Sequence, residues 1–367
     1  MRALPYFVVY VLPPCFVLGV AWGGPWLWLT PAVVFLLIPA IDAVLGHDTA
    51  EPDGTEARNP LFDLALRLWL PTQLAMIGLG LWRVGQGVTL AEGIGLAVSL
   101  GMLTGGGGIN VAHELMHRRS KVDRAIAEVL MASVTYTWFC VEHVLGHHRH
   151  VATPADPASA RLGESVYAFF PRTIVGGLAS AWVLEGERTR RRGIGALSLQ
   201  NRRLRYALGL LAIYGAVAAA VGPAGVLFFA GQSLVAVLLL ECVNYVEHYG
   251  LERQQVGGRL ERVQPHHSWN TTFRFTNWFL FNLQRHADHH AWAARPYHQL
   301  RPCTEAPQLP LGYPAMILMA LVPPLYLRVM GPLVAEARAR APSMAASGAD
   351  ALGLDPVVGL AELHPPA

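Results

Sequence analysis

The chain has 367 residues, of which 53% are hydrophobic and only 14% are charged, and its mean hydropathy is +0.34. Soluble globular domains carry about 25% charged residues, so this composition argues against an ordinary soluble enzyme. The formal net charge of +3 gives no indication of nucleic-acid binding. The four cysteines form no CxxC pair, which argues against a cysteine metal knuckle and against a disulfide framework.

Two long uncharged runs indicate membrane-spanning helices. Residues 3–41 and 206–240 contain no charged side chain, and each run is about twice the ~20 residues that cross a bilayer as a helix. Turn residues at 23–25 and 222–223 divide each run into a helical hairpin. With two further apolar segments, the sequence predicts an all-α integral membrane protein with about six transmembrane helices, at 6–22, 25–43, 64–82, 90–111, 206–221 and 224–243. We expect one domain over residues 1–341 and a disordered tail over 342–367, which is rich in Ala, Gly and Pro.

The placement of arginine predicts the orientation in the membrane. The turns at 23–25 and 222–223 carry no charge, whereas segment 112–205 and the segment after the sixth span are rich in Arg. Cytoplasmic loops of membrane proteins carry an excess of Lys and Arg, so these two segments and both termini are expected in the cytoplasm. The arginines have two interpretations that the sequence leaves open, namely topology and solvation alone or a docking site for an acidic redox protein.

Histidine is the residue type in excess, with 15 copies, most of them in tight groups. Segments 113–117, 143–148 and 286–290 read HxxxH, HxxxHH and HxxHH, and His248 stands alone directly after the sixth span. Positions i, i+3 and i+4 share one face of a helix, so each group can direct two or three imidazoles at one centre. Ionisable groups beside a membrane domain are costly and tend to be retained for function. Clustered imidazoles at this spacing therefore predict a metal site.

The number of histidines indicates two metal ions. Nine imidazoles are too many for one metal, whereas two metals would take four or five each. Imidazole suits Zn, Cu, Fe and Ni, so ligand type alone leaves the metal open. Four carboxylates adjoin the histidines, and we expect them to accept the outer ring N–H and fix the ring orientation: Glu114, Glu142, Glu247 and Asp288. For Glu114, a solvated surface charge is an equal interpretation.

These motifs resemble the integral-membrane alkane 1-monooxygenases. Histidine boxes alone would also fit membrane desaturases and carotenoid hydroxylases. The stretches NYVEHYG and LQRHADHH narrow the resemblance to the alkane hydroxylases and the similar xylene monooxygenases. It runs from about residue 35 to 335, and its motifs are at 113–118, 146–161, 244–250, 265–270 and 283–290.

The resemblance implies six transmembrane helices with a histidine-rich cytoplasmic cap that holds two iron ions, in a bacterial inner membrane. His266 and His267 match family residues outside the ligand boxes, whereas four histidines match no ligand: His47, His150, His298 and His364. Electrons would come from rubredoxin, which an NAD(P)H-dependent reductase reduces. Rubredoxin would be a separate chain, since this one has no paired CxxC motifs. The ligands implied are His113, His117, His143, His147, His148, His248, His286, His289 and His290.

The implied reaction is terminal hydroxylation of medium- and long-chain n-alkanes to 1-alkanols with O2. An alkane has no acidic proton and no leaving group, so acid–base or nucleophilic catalysis cannot begin the reaction and a redox cofactor must. We expect an apolar channel from the bilayer to the metals, with Val34, Phe35 and Leu283 as candidate wall residues. For each of the three, ordinary helix packing is the alternative.

Other functions remain open at this stage. An aromatic side-chain monooxygenase or a membrane fatty-acid desaturase or hydroxylase would share the metal, the membrane and the electron supply, and differ in substrate. A metal transporter would be a non-enzymatic alternative. Transporters bind ions near the bilayer midplane on broken helices, whereas these histidines lie at the ends of spans.

Overall fold

Six long apolar helices confirm the expected all-α membrane architecture. The computed structural model describes residues 3–52, 59–256 and 259–348. Within these ranges, six helices are long and apolar enough to cross a membrane: α1 (Leu4–Trp22), α2 (Gly24–Leu45), α3 (Pro60–Gly85), α4 (Leu90–Met116), α8 (Arg202–Val221) and α9 (Pro223–His248). The observed helices are longer than predicted, so that α4 includes His113 and α9 ends at His248.

The polar segments between and after the spans are helical too. Segment 117–201 contains α5 (Lys121–Ala132), the short helix α6 (139–150) and α7 (Val166–Arg191). A strand pair, β1 (Gln255–Val256) and β2 (Arg259–Leu260), follows α9. The remaining helices are α10 (Arg274–Phe279), α11 (His286–Ala291), α12 (Tyr313–Ala320) and α13 (Pro323–Gly348).

The sequence did not predict α7, α12 or α13. α7 combines apolar residues with an Arg-rich end and has no clean periodicity, while α12 and α13 bend by 120° and count as a seventh span only if taken together. The apolar residues 126–140 are divided between the end of α5 and the start of α6. α13 continues past residue 341 to Gly348, and residues 349–367 of the expected tail lie outside the described residues.

Glycines on α4 bring it close to α9. A Cβ at Gly101 would lie 2.7 Å from the carbonyl oxygen of Gln232, and one at Gly105 would lie 3.0 Å from Cα of Ala236. A larger side chain at either position would push the helices apart. Thr104 adds a buried hydrogen bond, since its Oγ1 donates to Oε1 of Gln232 across 2.9 Å. This contact sets where the histidines at the ends of α4 and α9 lie relative to each other.

Among the described residues, three helices contain a π-helical segment, in which backbone hydrogen bonds join residues five apart. The segments are Val33–Leu37 in α2, Thr104–Ile109 in α4 and His143–His147 in α6. π-Bulges inside α-helices are rare and are frequent at functional sites. All three segments border the same cavity, which is described below.

Candidate metal centre

The nine histidines gather in two adjacent buried groups. In each group the ligand-capable nitrogens lie within 4.8 Å of one another, and each of the nine side chains is at most 7% exposed. The five-histidine group consists of His113, His117, His143, His148 and His289. The four-histidine group consists of His147, His248, His286 and His290.

The π-helical turn of α6 divides its histidines between the groups. His143 and His148 are five positions apart, and their Nε2 atoms lie 3.1 Å apart in the five-histidine group. His147, four positions after His143, points instead to the four-histidine group, where its Nε2 lies 3.2 Å from that of His290. The expected i, i+4 pairing fails here because a π turn aligns residues i and i+5.

Neighbouring histidines of α11 also serve different groups. His286 and His290, four positions apart, share the four-histidine group, and Nε2 of His286 lies 3.2 Å from Nε2 of His248. His289 points the other way, with its Nε2 3.2 Å from that of His148. α6 and α11 therefore each contribute to both groups.

The spacing of the nitrogens fits metal ligands. Nε2 of His143 lies 3.1 Å from the Nε2 atoms of both His117 and His148. Two imidazole nitrogens bound to one metal at about 2.1 Å lie about 3.0–3.4 Å apart at octahedral or tetrahedral angles. Burial lowers the pKa of His143, His148 and His289 well below its usual value, so these rings are neutral and have a lone pair to offer. Both groups therefore have the chemistry of a metal site.

Asp156 orients one of these rings, a role that the sequence analysis did not assign. Its Oδ2 accepts a hydrogen bond from Nδ1 of His147 across 2.9 Å. The hydroxyl of Ser159 and the backbone N–H of Ala158 donate to the same carboxylate. Although burial disfavours a charged ring, Asp156 raises the pKa of His147. Asp156 lies within motif 146–161, and its position nine residues after His147 was the available signal.

Three of the four expected carboxylates have partners other than histidine. Glu114 accepts from Arg118 at 3.3 Å, Glu142 from the hydroxyl of Ser180 at 3.5 Å, and Asp288 from Arg301 at 3.0 Å. This differs from the expected contact with an outer ring nitrogen, because an Arg or Ser side chain reaches each of these carboxylates instead. The i, i+4 spacing of Glu114 and Arg118 was a sequence signal for that pair, whereas no spacing indicated the partners of Glu142 and Asp288.

Glu247 also lies elsewhere than expected. Its Oε2 is 3.2 Å from Nε2 of His286, the nitrogen that faces His248, and not from the outer nitrogen. The side chain is only 2% exposed, and Oε1 has no hydrogen-bond partner among the described residues. The position of Glu247 on the inner face makes it a candidate ligand of the four-histidine group.

The remaining histidines have other contacts. His47 bonds the hydroxyl of Thr272, and His298 stacks on Phe62 with ring centroids 3.9 Å apart. Nδ1 of His267 accepts a hydrogen bond from the backbone N–H of Gln264, and its Nε2 donates one to Glu261. Both ring nitrogens of His267 are therefore occupied, and the ring of His266 lies beside it. His150 is half-buried outside both groups, and His364 lies outside the described residues.

An apolar cavity borders both groups. Its walls come from α2, α4, α9, α10 and α12, and Val34 and Leu283 line it as expected. Phe35 does not line it and packs against the hydrophobic core instead, because consecutive residues of a helix point in different directions. The polar residues that reach the cavity from the two groups are His113, His143, His286 and Glu247.

Comparisons with known proteins cover the part of the chain that holds these histidines. A family model described as Fatty acid desaturase matches residues 91–319, which include all nine histidines. Alkane 1-monooxygenase 2 of Pseudomonas aeruginosa is 43% identical, over 86% of this chain and 86% of that protein. The chain belongs to the alkane 1-monooxygenase family. Alkane 1-monooxygenase 2 of Alcanivorax borkumensis is 41% identical, over 84% of this chain and 83% of the relative.

A relative with a different substrate name is also similar. The xylene/toluene monooxygenase hydroxylase component XylM of Pseudomonas putida is 31% identical, over 89% of this chain and 87% of that protein. The relatives named here are bacterial oxidoreductases of the monooxygenase class, and this class is confirmed for the chain.

Proposed function

We propose that this protein hydroxylates the terminal carbon of medium- and long-chain n-alkanes, giving 1-alkanols. The observation that carries the proposal is the apolar cavity that ends on both histidine groups. Ligand cavities are mostly apolar with a few placed polar groups, and the lining of this cavity fits that description. An alkane has no polar group to recognise, so an apolar wall is the complementary surface.

We propose two iron ions as the cofactor, one for each histidine group. Zinc satisfies the ligand type but has no redox chemistry, whereas a monooxygenase needs a metal that exchanges electrons. Bound iron supplies the O2 activation required to break an unactivated C–H bond. The overall reaction joins alkane, O2, two electrons and two protons to give alcohol and water. Glu247 is a further candidate ligand of the four-histidine group.

The residues of the chain position the substrate and exclude water. Val34, Leu283 and Ile317 are among the apolar residues that enclose the alkyl chain, and His143 and His286 are among the few polar residues of the lining. An alkane therefore gains most apolar contact when its chain fills the cavity and its terminal methyl group faces the histidines. This orientation accounts for attack at the terminal carbon.

The electrons come from rubredoxin, a separate chain, and ultimately from NAD(P)H through a rubredoxin reductase. The protein lies in the bacterial inner membrane, with the histidine groups and both termini on the cytoplasmic side. The Arg-rich segments support this orientation, because each of the six crossings changes side and segments 117–201 and 249–348 therefore lie on the same side.

The test is turnover by purified protein in nanodiscs, with rubredoxin, its reductase, NADH and O2. Octane, a xylene and a fatty acyl substrate are offered separately, and products are identified by mass spectrometry. We expect 1-octanol as the main product, and none from the His289→Ala control. Preferred oxidation of the xylene methyl group would favour a function like that of the XylM relative, and an unsaturated acyl product would favour a desaturase. Metal flux into liposomes without any product would favour a transporter.

A further inference from the structure

A strongly basic groove, separate from the apolar cavity, lies on the side of α6 that faces away from the two histidine groups. It is open to solvent, and we define it by its five arginines. Glu187 is the single acidic residue among those that line it, so positive charge dominates. The arginines of this basic groove are Arg149, Arg188, Arg191, Arg192 and Arg202.

The floor of the basic groove is the reverse face of the π-helical turn. Leu145 lines the groove and lies inside the segment His143–His147, and Arg149 directly follows His148. The histidines of the same turn point the other way, into the two groups. A molecule in the basic groove is therefore separated from the histidine groups by the thickness of one helix.

α7 completes the groove because Gly146 lets it approach α6. A Cβ at Gly146 would lie 3.1 Å from Cδ1 of Leu184, which also lines the groove. This contact brings the Arg-rich end of α7 beside Arg149. The groove thus has two leucines at its base and a basic rim, and a small apolar centre with a charged rim is typical of protein interfaces.

Much of the positive charge at the rim is available to a partner. Arg188 is bound to the buried Glu185, with 2.7 Å between Nε and Oε2, and Arg191 contacts Glu187 at 3.6 Å in a largely exposed pair. Within the described part of the chain, Arg149 and Arg192 form no ion pair, and both side chains are exposed. Exposed pairs are weak, so an acidic partner can replace them.

We propose that the basic groove is the docking site of the acidic electron-transfer protein that reduces this enzyme. The inference rests on the proposed function. That reaction consumes two electrons per O2, and the site at which they enter the protein has not yet been assigned. The oxidised donor leaves after giving up its electrons, so a weak interface steered by charge suits it better than a large apolar one. The electrons enter through α6, whose backbone joins Leu145 and Arg149 to His147 and His148. An anionic lipid headgroup would match the charge but would supply no electrons.

The experiment compares Arg192→Glu, Arg192→Lys and Lys121→Glu in nanodiscs of neutral lipid, with rubredoxin as the probe. Lys121 is exposed, lies in the same segment 117–201 and is outside the groove, so its reversal makes the same change in net charge. At low salt, Arg192→Glu should raise KM and Kd for rubredoxin about three- to tenfold, whereas Arg192→Lys and Lys121→Glu should stay near wild type. The difference should vanish near 1 M salt, where the Debye length is about 3 Å. The rate with dithionite and a small mediator should not change.

Three results would overturn the proposal. One is an unchanged KM and Kd for rubredoxin in Arg192→Glu while the wild type hydroxylates octane. Another is an equal loss in Lys121→Glu, which would indicate a general charge effect. The third is loss of co-purified anionic phospholipid from Arg192→Glu without any change in Kd for rubredoxin, which would assign the groove to lipid. Absence of alcohol from the wild type with every electron donor would contradict the proposed function instead, and the Kd for rubredoxin would still decide the role of the groove.

Discussion

Asp156 accepts a hydrogen bond from Nδ1 of His147 across 2.9 Å, and both side chains are almost completely buried. The bond fixes the ring so that Nε2 faces the four-histidine group. Groups that orient ligating histidines typically contribute 10–100-fold to metal affinity or activity. The orientation of His147 therefore depends on a carboxylate that contacts its Nδ1 and leaves its Nε2 free to face the four-histidine group.

Replacing Asp156 by Asn should weaken metal retention. The amide keeps the shape but loses the charge that holds the His147 ring, so we expect about 10–100-fold weaker binding of one iron. Iron remaining after a chelator challenge measures the effect. Asp123→Asn is the control, since Asp123 is equally buried but binds Arg67 at 2.8 Å. Equal retention in both variants would contradict the role of Asp156.

The neighbouring histidines His289 and His290 should affect different metals. His289 belongs to the five-histidine group and His290 to the four-histidine group, so each Ala variant should lose mainly one of two irons. Both variants should lose nearly all hydroxylation. Iron content per protein and the Mössbauer spectrum of the remaining iron distinguish the two sites, and His150→Ala should keep both irons. Identical residual spectra in the two variants would show that the groups do not act as separate sites.

Val34→Trp should shorten the accepted alkanes. Val34 lines the cavity, so a larger side chain occupies volume that a long alkyl chain needs. We expect octane turnover to persist while hexadecane turnover falls at least about tenfold, as when a bulky group clashes with a substrate. Phe35→Trp, at a position that does not line the cavity, is the matched control. A product profile unchanged in Val34→Trp would exclude this wall as a determinant of chain length.

The contribution of Glu142 to the stability of the metal-free protein should fall as pH rises. Burial, and to a lesser extent the negative charge of Asp156, raise the pKa of Glu142 from 4.5 to about 8. Between these values the folded protein binds more protons at Glu142 than the unfolded chain, so the contribution of Glu142 to the free energy of unfolding decreases with rising pH and levels off above about 8. Glu142→Gln should remove this decline. Thermal unfolding of the metal-free protein in detergent from pH 5 to 9 measures it, and parallel pH profiles for both proteins would contradict the prediction.

Features that depend on neighbouring residues along the chain could be predicted from the sequence. Apolar runs of helical length locate the six spans, because each span must satisfy its backbone hydrogen bonds within itself. The spacing of His113 and His117 likewise predicts a shared helical face, and both lie in the five-histidine group. Val34 and Leu283 line the cavity, whereas Phe35 packs against the hydrophobic core, and a role of any of them in a substrate channel stays a prediction.

Tertiary structure alone decided how the nine histidines divide. The π turn at His143–His147 moves His148 into register with His143 and sends His147 to the other group, and its backbone hydrogen bonds have no signature in the histidine spacing. The partners of Glu142 and Asp288, the bond from His147 to Asp156 and the groove between α6 and α7 depend on how helices and loops pack. Packing joins residues that are distant along the chain, so a local pattern names the candidate ligands but does not assign them to a centre.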